Sequence, residues 1–126
     1  MHALRHVHGL VVPNGTLVDV HPVSEERVEA HGGAIGVIEE PEWTTVELPN
    51  AEAALRRTVR EGLYALEAER EYDVLTHFDS SAELIEEKRD LLERQAALTA
   101  RIEAATPPLV TRMRVVLRRL RVLPSS

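Results

Sequence analysis

Two segments in the second half of the chain carry opposite charges at the spacing of β-strands. From Ala68 onward the residues alternate with a period of two, and the acidic positions there are Glu67, Glu69, Glu71 and Asp73. Residues 110–122 are also strand-like, and their arginines are Arg112, Arg114, Arg118, Arg119 and Arg121. Opposite charges that face each other across neighbouring strands stabilise the pair by about 0.2–1 kcal/mol. We therefore predict that segments 67–78 and 110–122 pair antiparallel, and we favour this structural role for the arginines over a phosphate-binding strip.

The same two segments predict how each strand is buried. In the first, Ala68, Tyr72, Val74, Thr76 and Phe78 share one face, which is typical of a long, half-buried strand. In the second, the apolar residues change face along the segment. One extra residue reverses the facing of all that follow, so we expect a β-bulge near Arg118 or Arg119.

A helix is predicted between these strands, over residues 80–104. Ser80 and Glu83 have the spacing of a capping box, in which each side chain accepts a backbone N–H from the other residue. Leu84, Leu91 and Leu98 then form an apolar stripe that we expect to pack on the strand pair.

In the first half of the chain the sequence predicts short helices and strands. A helix over 2–12 is stopped by the turn residues Pro13-Asn14-Gly15, and the following strand, 16–20, has apolar residues on both faces, as in an interior strand. Segments 27–30 and 34–39 predict a β-hairpin around His31-Gly32-Gly33.

Two further elements are predicted between this hairpin and the acidic strand. The alternation of Trp43, Thr45 and Glu47 suggests an edge strand over 42–48. Asn50 suits the N-cap of a helix over about 51–64.

These elements indicate an α/β or α+β protein: a small mixed sheet with an antiparallel C-terminal strand pair and two to three packed helices. The length of 126 residues predicts a single domain, 1–126. The absence of cysteine excludes disulfides and thiolate metal sites, and the net charge of −6 argues against nucleic-acid and membrane partners. Without an apolar run long enough to span a bilayer or a signal-peptide pattern, we expect a cytoplasmic protein.

Two pairs of residues are candidates for ligand binding. Asp19 with His21, and His77 with Asp79, are two apart at strand ends, so each pair can converge on one face. Two histidines and two aspartates could in principle hold a metal or transfer protons. Such residues more often cap turns, and no further ligand stands at a fixed spacing, so we predict no metal site. His2 and His6 could meet on one helix face, a pattern equally typical of adventitious binding.

No catalytic residue is predicted. Ser24, Ser80 and Ser81 lie in turn or cap contexts without the GxSxG elbow of serine hydrolases. The glycines at 32, 33 and 36 lack the GxGxxG spacing of a phosphate-binding loop.

The segment from Leu4 to Pro22, LRHVHGLVVPNGTLVDVHP, resembles a stretch of class I SAM-dependent methyltransferases. In that family a helix runs through a Pro-Gly-Gly type of turn into the fifth strand of the sheet, and Pro13-Asn14-Gly15 stands at the place of that turn. The later order of helix, long strand, helix and antiparallel last strand also matches the C-terminal half of the fold. The glycine-rich loop and the acidic residue that bind SAM in that family are not found in this sequence. The resemblance therefore implies no cofactor and no site residue.

The resemblance implies the distal half of a methyltransferase-like sheet standing alone. The strand at 16–22 would then lack a neighbour, and an apolar strand with unpaired N–H and C=O groups is an aggregation hazard. We therefore expect a non-catalytic homodimer or a domain that binds a larger protein. The alternatives are a component of a SAM-dependent methyltransferase with its site completed at an interface, and a module that binds a small ligand between the 80–104 helix and the sheet.

Overall fold

The elements of the protein are taken from a computed structural model that describes residues 2–31 and 33–124. In chain order they are α1 (His2–Leu10), β1 (Thr16–Pro22), β2 (Glu26–Ala30), β3 (Gly33–Ile38), a π-helical turn (Trp43–Glu47), α2 (Leu48–Arg60), β4 (Tyr64–Phe78), α3 (Ser81–Glu87), α4 (Arg89–Leu92), α5 (Ala96–Ala104) and β5 (Leu109–Val122). This content confirms the predicted class, because the strands are antiparallel and form one sheet together with several helices, as in α+β proteins.

The five strands form one sheet in which β5 has the most partners. The order is β1-β5-β2-β3, and β4 also pairs with β5. Beside β4, the N–H of Leu123 donates to the carbonyl of Leu63 at 3.0 Å; beside β1, the N–H of Asn14 donates to the carbonyl of Val122 at 2.7 Å. The predicted antiparallel pairing of the acidic and the arginine-rich segments is thus confirmed.

The chain divides into two compact units, and β4 and β5 each contribute to both. The first unit comprises, among the described residues, 2–21, 41–72 and 115–124. Its core is formed by Leu55, Tyr64, Leu120 and Val122, against which Leu4, Val11, Leu17, Val59 and Leu63 pack. The hydroxyl of Tyr64 donates to the carbonyl of Leu4 at 2.6 Å, so α1 is held to the start of β4.

The second unit comprises Pro22–Glu40 and Asp73–Arg114. Its buried core consists of Val28, Ile38, Phe78, Leu84, Leu92, Leu98, Ile102 and Leu109. Strands β2 and β3 pair antiparallel, which confirms the predicted hairpin. Gly32 lies outside the described residues.

The single helix predicted over 80–104 is wrong: the segment forms α3, α4 and α5. The backbone leaves the helical region at Lys88 (φ −103°, ψ 18°) and at Gln95 (φ −125°, ψ 61°). Leu84 and Leu98 are nevertheless buried in the same core. The breaks change the direction of each short helix, so that its leucine still packs there. Ser80 caps α3 as predicted, but Glu83 accepts the N–H of Asp79 rather than that of Ser80.

Two predictions before β4 are also wrong. Residues 42–48 are helical rather than an edge strand, and the hydroxyls of Thr44 and Thr45 donate to the carbonyl of Pro41 at 3.3 and 2.6 Å. Because this π-helical turn continues directly into α2, Asn50 lies inside the helix and is not its N-cap. The helix ends at Arg60, before Gly62 (φ +78°).

Burial of the strands differs from the prediction as well. β1 is not interior: within the described chain it pairs with β5 alone, and Val18 and Val20 are 57% and 51% exposed. β4 is buried mainly at its ends, at Tyr64 and Phe78, instead of along one face. In β5 the alternation changes phase at Val115 and Val116, both buried, which is earlier than the bulge expected near Arg118.

Candidate functional site

The predicted pair Asp19 and His21 forms the first part of a charged cluster in the first unit. β1 places the two side chains on one face, and Nδ1 of His21 lies 2.9 Å from a carboxylate oxygen of Asp19. The other ring nitrogen, Nε2, lies 2.7 Å from Oε1 of Glu52, which α2 supplies. The imidazole is therefore held between two carboxylates.

Arg118 of β5 joins this group to β4. Its NH1 and NH2 donate to the two oxygens of Glu52, at 3.1 and 2.8 Å, and its Nε donates to Glu69 at 2.9 Å. NH1 also lies 3.7 Å from Asp19. We call Asp19, His21, Glu52, Glu69 and Arg118 the charge cluster.

Electrostatics in the charge cluster favour the ionised carboxylate of Glu52. Burial alone would raise the pKa of Glu52, but hydrogen bonds from Arg118 and His21 outweigh burial and hold that pKa below its ordinary value of 4.5. Burial also opposes the charge on Arg118, yet its contacts with Glu52 and Glu69 raise the pKa of the guanidinium. The pair is thus fully charged at neutral pH.

The hydrogen bonds of the charge cluster are satisfied internally. Both ring nitrogens of His21 lie within hydrogen-bond distance of carboxylate oxygens, so both are already engaged within the cluster. No buried side-chain nitrogen or oxygen lacks a partner in the described residues. Among those same residues, no group of three metal-ligating side chains has the arrangement of a metal site.

The second predicted pair, His77 and Asp79, lies in the second unit and does not form a comparable cluster. His77 is exposed and lines a depression of about 320 Å³ together with Glu29, His31 and Arg112. Asp79 contributes its backbone N–H to Glu83. Over residues 2–31 and 33–124, no hydrogen bond joins the side chains of His77 and Asp79. Of the terminal histidines, the side chains of His2 and His6 lie outside the described part of the chain.

Sequence reasoning missed Glu52 and assigned only a general role to Arg118. Glu52 lies in a helix whose start was misplaced, so its turn toward β1 could not be inferred. Arg118 was expected to face acids of the preceding strand, and its contact with Glu69 confirms that expectation.

A groove in the first unit lies next to the charge cluster, between α2 and the strands. It has a volume of about 520 Å³, its apolar wall is formed by Leu55, Val59 and Leu66, and Arg56 and Arg60 line it as well. We call it the α2 groove. A cavity was predicted between the 80–104 helix and the sheet. The depression found in this region, of about 420 Å³, is lined instead by residues of α3, α4 and α5 and of the links between them.

A second surface of the first unit, with a depression of about 480 Å³, contains Val18, Ala68, Arg70, Leu117 and Arg119. Val20 follows Val18 by two residues in β1 and therefore points to the same side of the strand. We call Val18, Val20, Ala68, Arg70, Leu117 and Arg119 the open surface.

No family model, curated protein or solved structure matches the chain. None of the helices in the described residues is both long enough and apolar enough to cross a membrane.

Proposed function

We propose that this chain is a non-catalytic, cytoplasmic binding domain that forms a homodimer by pairing β1 with β1 of a second copy. Its kinship would be with the distal half of a methyltransferase-like sheet, on the strength of the resemblance between Leu4 and Pro22. The first partner of the domain is then another copy of itself, and a larger protein would bind the assembled dimer.

The exposure of β1 is the observation that carries this proposal. Val18 and Val20 are more than half exposed, although both side chains are apolar. β1 pairs with β5 alone among the described strands, so its outer edge presents unpaired N–H and C=O groups. An antiparallel copy of β1 would satisfy those groups and bring Val18 and Val20 of the two copies side by side on one face of the joined sheet.

The charges of the open surface support a twofold arrangement. A twofold contact uses the same surface on both copies, so that surface must carry complementary features. Arg70 and Arg119 line the open surface, and Nε of Arg119 lies 3.7 Å from the carboxylate of Glu67, so both signs of charge stand near the apolar valines. A second copy of this acidic chain can therefore place its carboxylates against these arginines.

The charge cluster supports a non-catalytic role. A general base needs a lone pair that can reach a substrate, and a metal needs free ligands. In the charge cluster the imidazole nitrogens and the guanidinium of Arg118 already bind carboxylates. Its role in the proposal is to hold α2, β1, β4 and β5 in place behind the dimer contact.

Light scattering coupled to size-exclusion chromatography tests the proposal. We expect the wild-type protein at micromolar concentration to have twice the mass of one 14.1 kDa chain. The double variant Val18→Glu/Val20→Glu should be monomeric, because it places like charges opposite each other in the paired strands.

The matched control is Val46→Glu, since Val46 is similarly exposed, at 49%, on the π-helical turn of the same unit. This variant should remain dimeric. A monomeric wild type would overturn the proposed dimer, and a dimer that survives the double variant would exclude β1 as its contact. A rise in the melting temperature on addition of SAM would contradict the non-catalytic role.

A further inference from the structure

The α2 groove combines an apolar wall with two arginines, Arg56 and Arg60. Leu55 is buried, Val59 is partly buried, and Leu66 is 45% exposed, so the wall is open to a ligand. Within the described residues, Arg56 and Arg60 form no ion pair. By contrast, the five arginines of β5 all contact carboxylates, as in the pairs of Arg112 with Glu29 and Arg121 with Glu67. The charges of Arg56 and Arg60 are therefore available to a ligand, as are those of some arginines outside the groove, such as Arg57 and Arg70.

The positions of Arg56 and Arg60 allow them to act on one ligand group. They are four residues apart in α2, so their side chains lie one turn apart on the same side of the helix. A guanidinium presents a planar fork of donors that fits a carboxylate or a phosphate. Two such forks at the mouth of one groove suit a single anionic head group.

The charge cluster does not cancel this positive potential. Glu52 and Glu69 also line the groove, but both are bound to Arg118, which lines the groove beside them. Three arginines, at 56, 60 and 118, thus face two glutamates, which leaves one positive charge in excess. The low pKa of Glu52 keeps this pairing intact at neutral pH.

We propose that the α2 groove binds an amphipathic organic anion, with its apolar body against Leu55, Val59 and Leu66 and its anionic head on Arg56 and Arg60. The volume of about 520 Å³ falls in the range of small-molecule sites, roughly 300–1,000 Å³. This site is separate from the β1 contact of the proposed dimer, so either proposal can fail without the other.

Isothermal titration calorimetry with three ten-carbon probes tests the site. Decanoate and decyl phosphate carry the anionic head as a carboxylate and as a phosphate, and decyltrimethylammonium has the same chain with a cationic head. We expect both anions to bind, the tighter one identifying the head group, and the cation to bind at least tenfold more weakly. Equal binding of the cation would mean nonspecific adsorption of the alkyl chain and would overturn the proposal, as would the absence of binding by both anions.

Variants of α2 distinguish binding in the groove from nonspecific attraction of an anion to the positive charges of the helix. Arg56→Gln/Arg60→Gln should weaken anion binding roughly tenfold or more, because charge-assisted contacts to the head are lost. Arg57→Gln removes an arginine of the same helix that is also exposed but does not line the groove, and should leave affinity unchanged. An equal loss in Arg57→Gln would overturn the site.

A third variant tests the apolar part. Leu66→Ser, at an exposed position, should weaken binding of decanoate more than binding of the shorter hexanoate. An identical effect on both chain lengths would contradict contact between Leu66 and the ligand body. All four substituted side chains are exposed, and circular dichroism would check that each of the three variants is folded.

Discussion

Arg118 is the residue on which the charges of the first unit converge. Its side chain is only 9% exposed, and it contacts carboxylates from three elements: Asp19 of β1, Glu52 of α2 and Glu69 of β4. A buried ion pair adds little stability compared with a pair of apolar side chains, but removal of one charged member leaves the remaining charges buried and unpaired. The stability of this unit therefore depends on Arg118 far more than on the other arginines of its strand.

Replacement of Arg118 by Met should lower the free energy of unfolding by about 3 kcal/mol, because three carboxylates would then remain close together without a guanidinium. The measurement is urea denaturation at pH 7 and one fixed protein concentration. The adjacent Arg119, whose side chain is 59% exposed and lies 3.7 Å from Glu67, is the matched control. Arg119→Met should cost at most about 0.5 kcal/mol. Equal costs for the two variants would contradict the central position of Arg118.

The lowered pKa of Glu52 makes part of the stability depend on pH. A carboxyl whose pKa is lower in the folded state contributes stability that is present above its unfolded pKa and is lost as pH falls through the folded value. The free-energy difference between wild type and Glu52→Gln should therefore be largest above pH 4.5 and shrink in more acidic solution. Arg118 and His21 supply the favourable contacts of Glu52. Two further acids lie nearby: Asp19 contacts His21, and Glu69 contacts Arg118.

Urea denaturation of both proteins between pH 3 and pH 7 measures this difference. Glu47→Gln, at an exposed carboxylate of the π-helical turn, serves as the control for the loss of one acidic charge. A Glu52→Gln difference that stays constant across the range would show that its pKa is not lowered by folding.

At the level of elements, the sequence predicted strands better than helix boundaries. The strands β4 and β5 follow from alternation and opposite charge, and the contacts of Asp73 with Arg112 and Arg114 follow from the same pattern. The breaks at Lys88 and Gln95 could not be inferred, because Leu84, Leu91 and Leu98 keep a helical spacing across both of them. The periodicity of apolar residues predicts which side chains face the core, but it does not predict where the helix axis changes direction between them.

The end of α2 depends on the backbone of Gly62. Its φ of +78° lies in the left-handed region, where a side chain costs roughly 1–2 kcal/mol, and a Cβ there would meet no atom within 4 Å. Gly62→Ala should therefore destabilise the protein by roughly 1 kcal/mol through backbone strain alone.

Gly9→Ala is the matched control, because Gly9 is helical in α1 and a Cβ there also meets nothing within 4 Å. This variant should stabilise the protein by about 0.5–1 kcal/mol through helix propensity. Thermal unfolding of the two variants gives the comparison. Equal shifts of the melting temperature in the same direction would contradict the claim that the left-handed backbone of Gly62 requires glycine.

At the level of the whole molecule, the class of fold could be predicted and the exposure of its strands could not. Apolar residues on both faces of β1 indicate a strand that needs cover, but the sequence does not distinguish cover from within the chain and cover from a partner. Leu17 is packed in the core of the first unit, whereas Val18 and Val20 are exposed. The expectation of an interior strand and the proposal of a dimer thus rest on the same residues.

The site residues show the same limit. Asp19 and His21 could be paired from their spacing because a strand fixes which residues share a face. Glu52 and Arg118 come from distant parts of the sequence, and their convergence depends on how α2 and β5 pack around Leu55 and Leu120. The predicted pair was therefore correct as local geometry, and its surroundings could be seen only in the fold.

The proximity of the two β1 strands in solution is the most direct test of the central claim. The chain contains no cysteine, so Val20→Cys provides a single attachment point for a nitroxide label. Double electron–electron resonance should then give a short inter-label distance that disappears when labelled protein is diluted with excess unlabelled chain. A label at Val46→Cys should give a clearly longer distance or none. Absence of dipolar coupling between labels at position 20, at a concentration where the chain was expected to dimerise, would contradict self-association through β1.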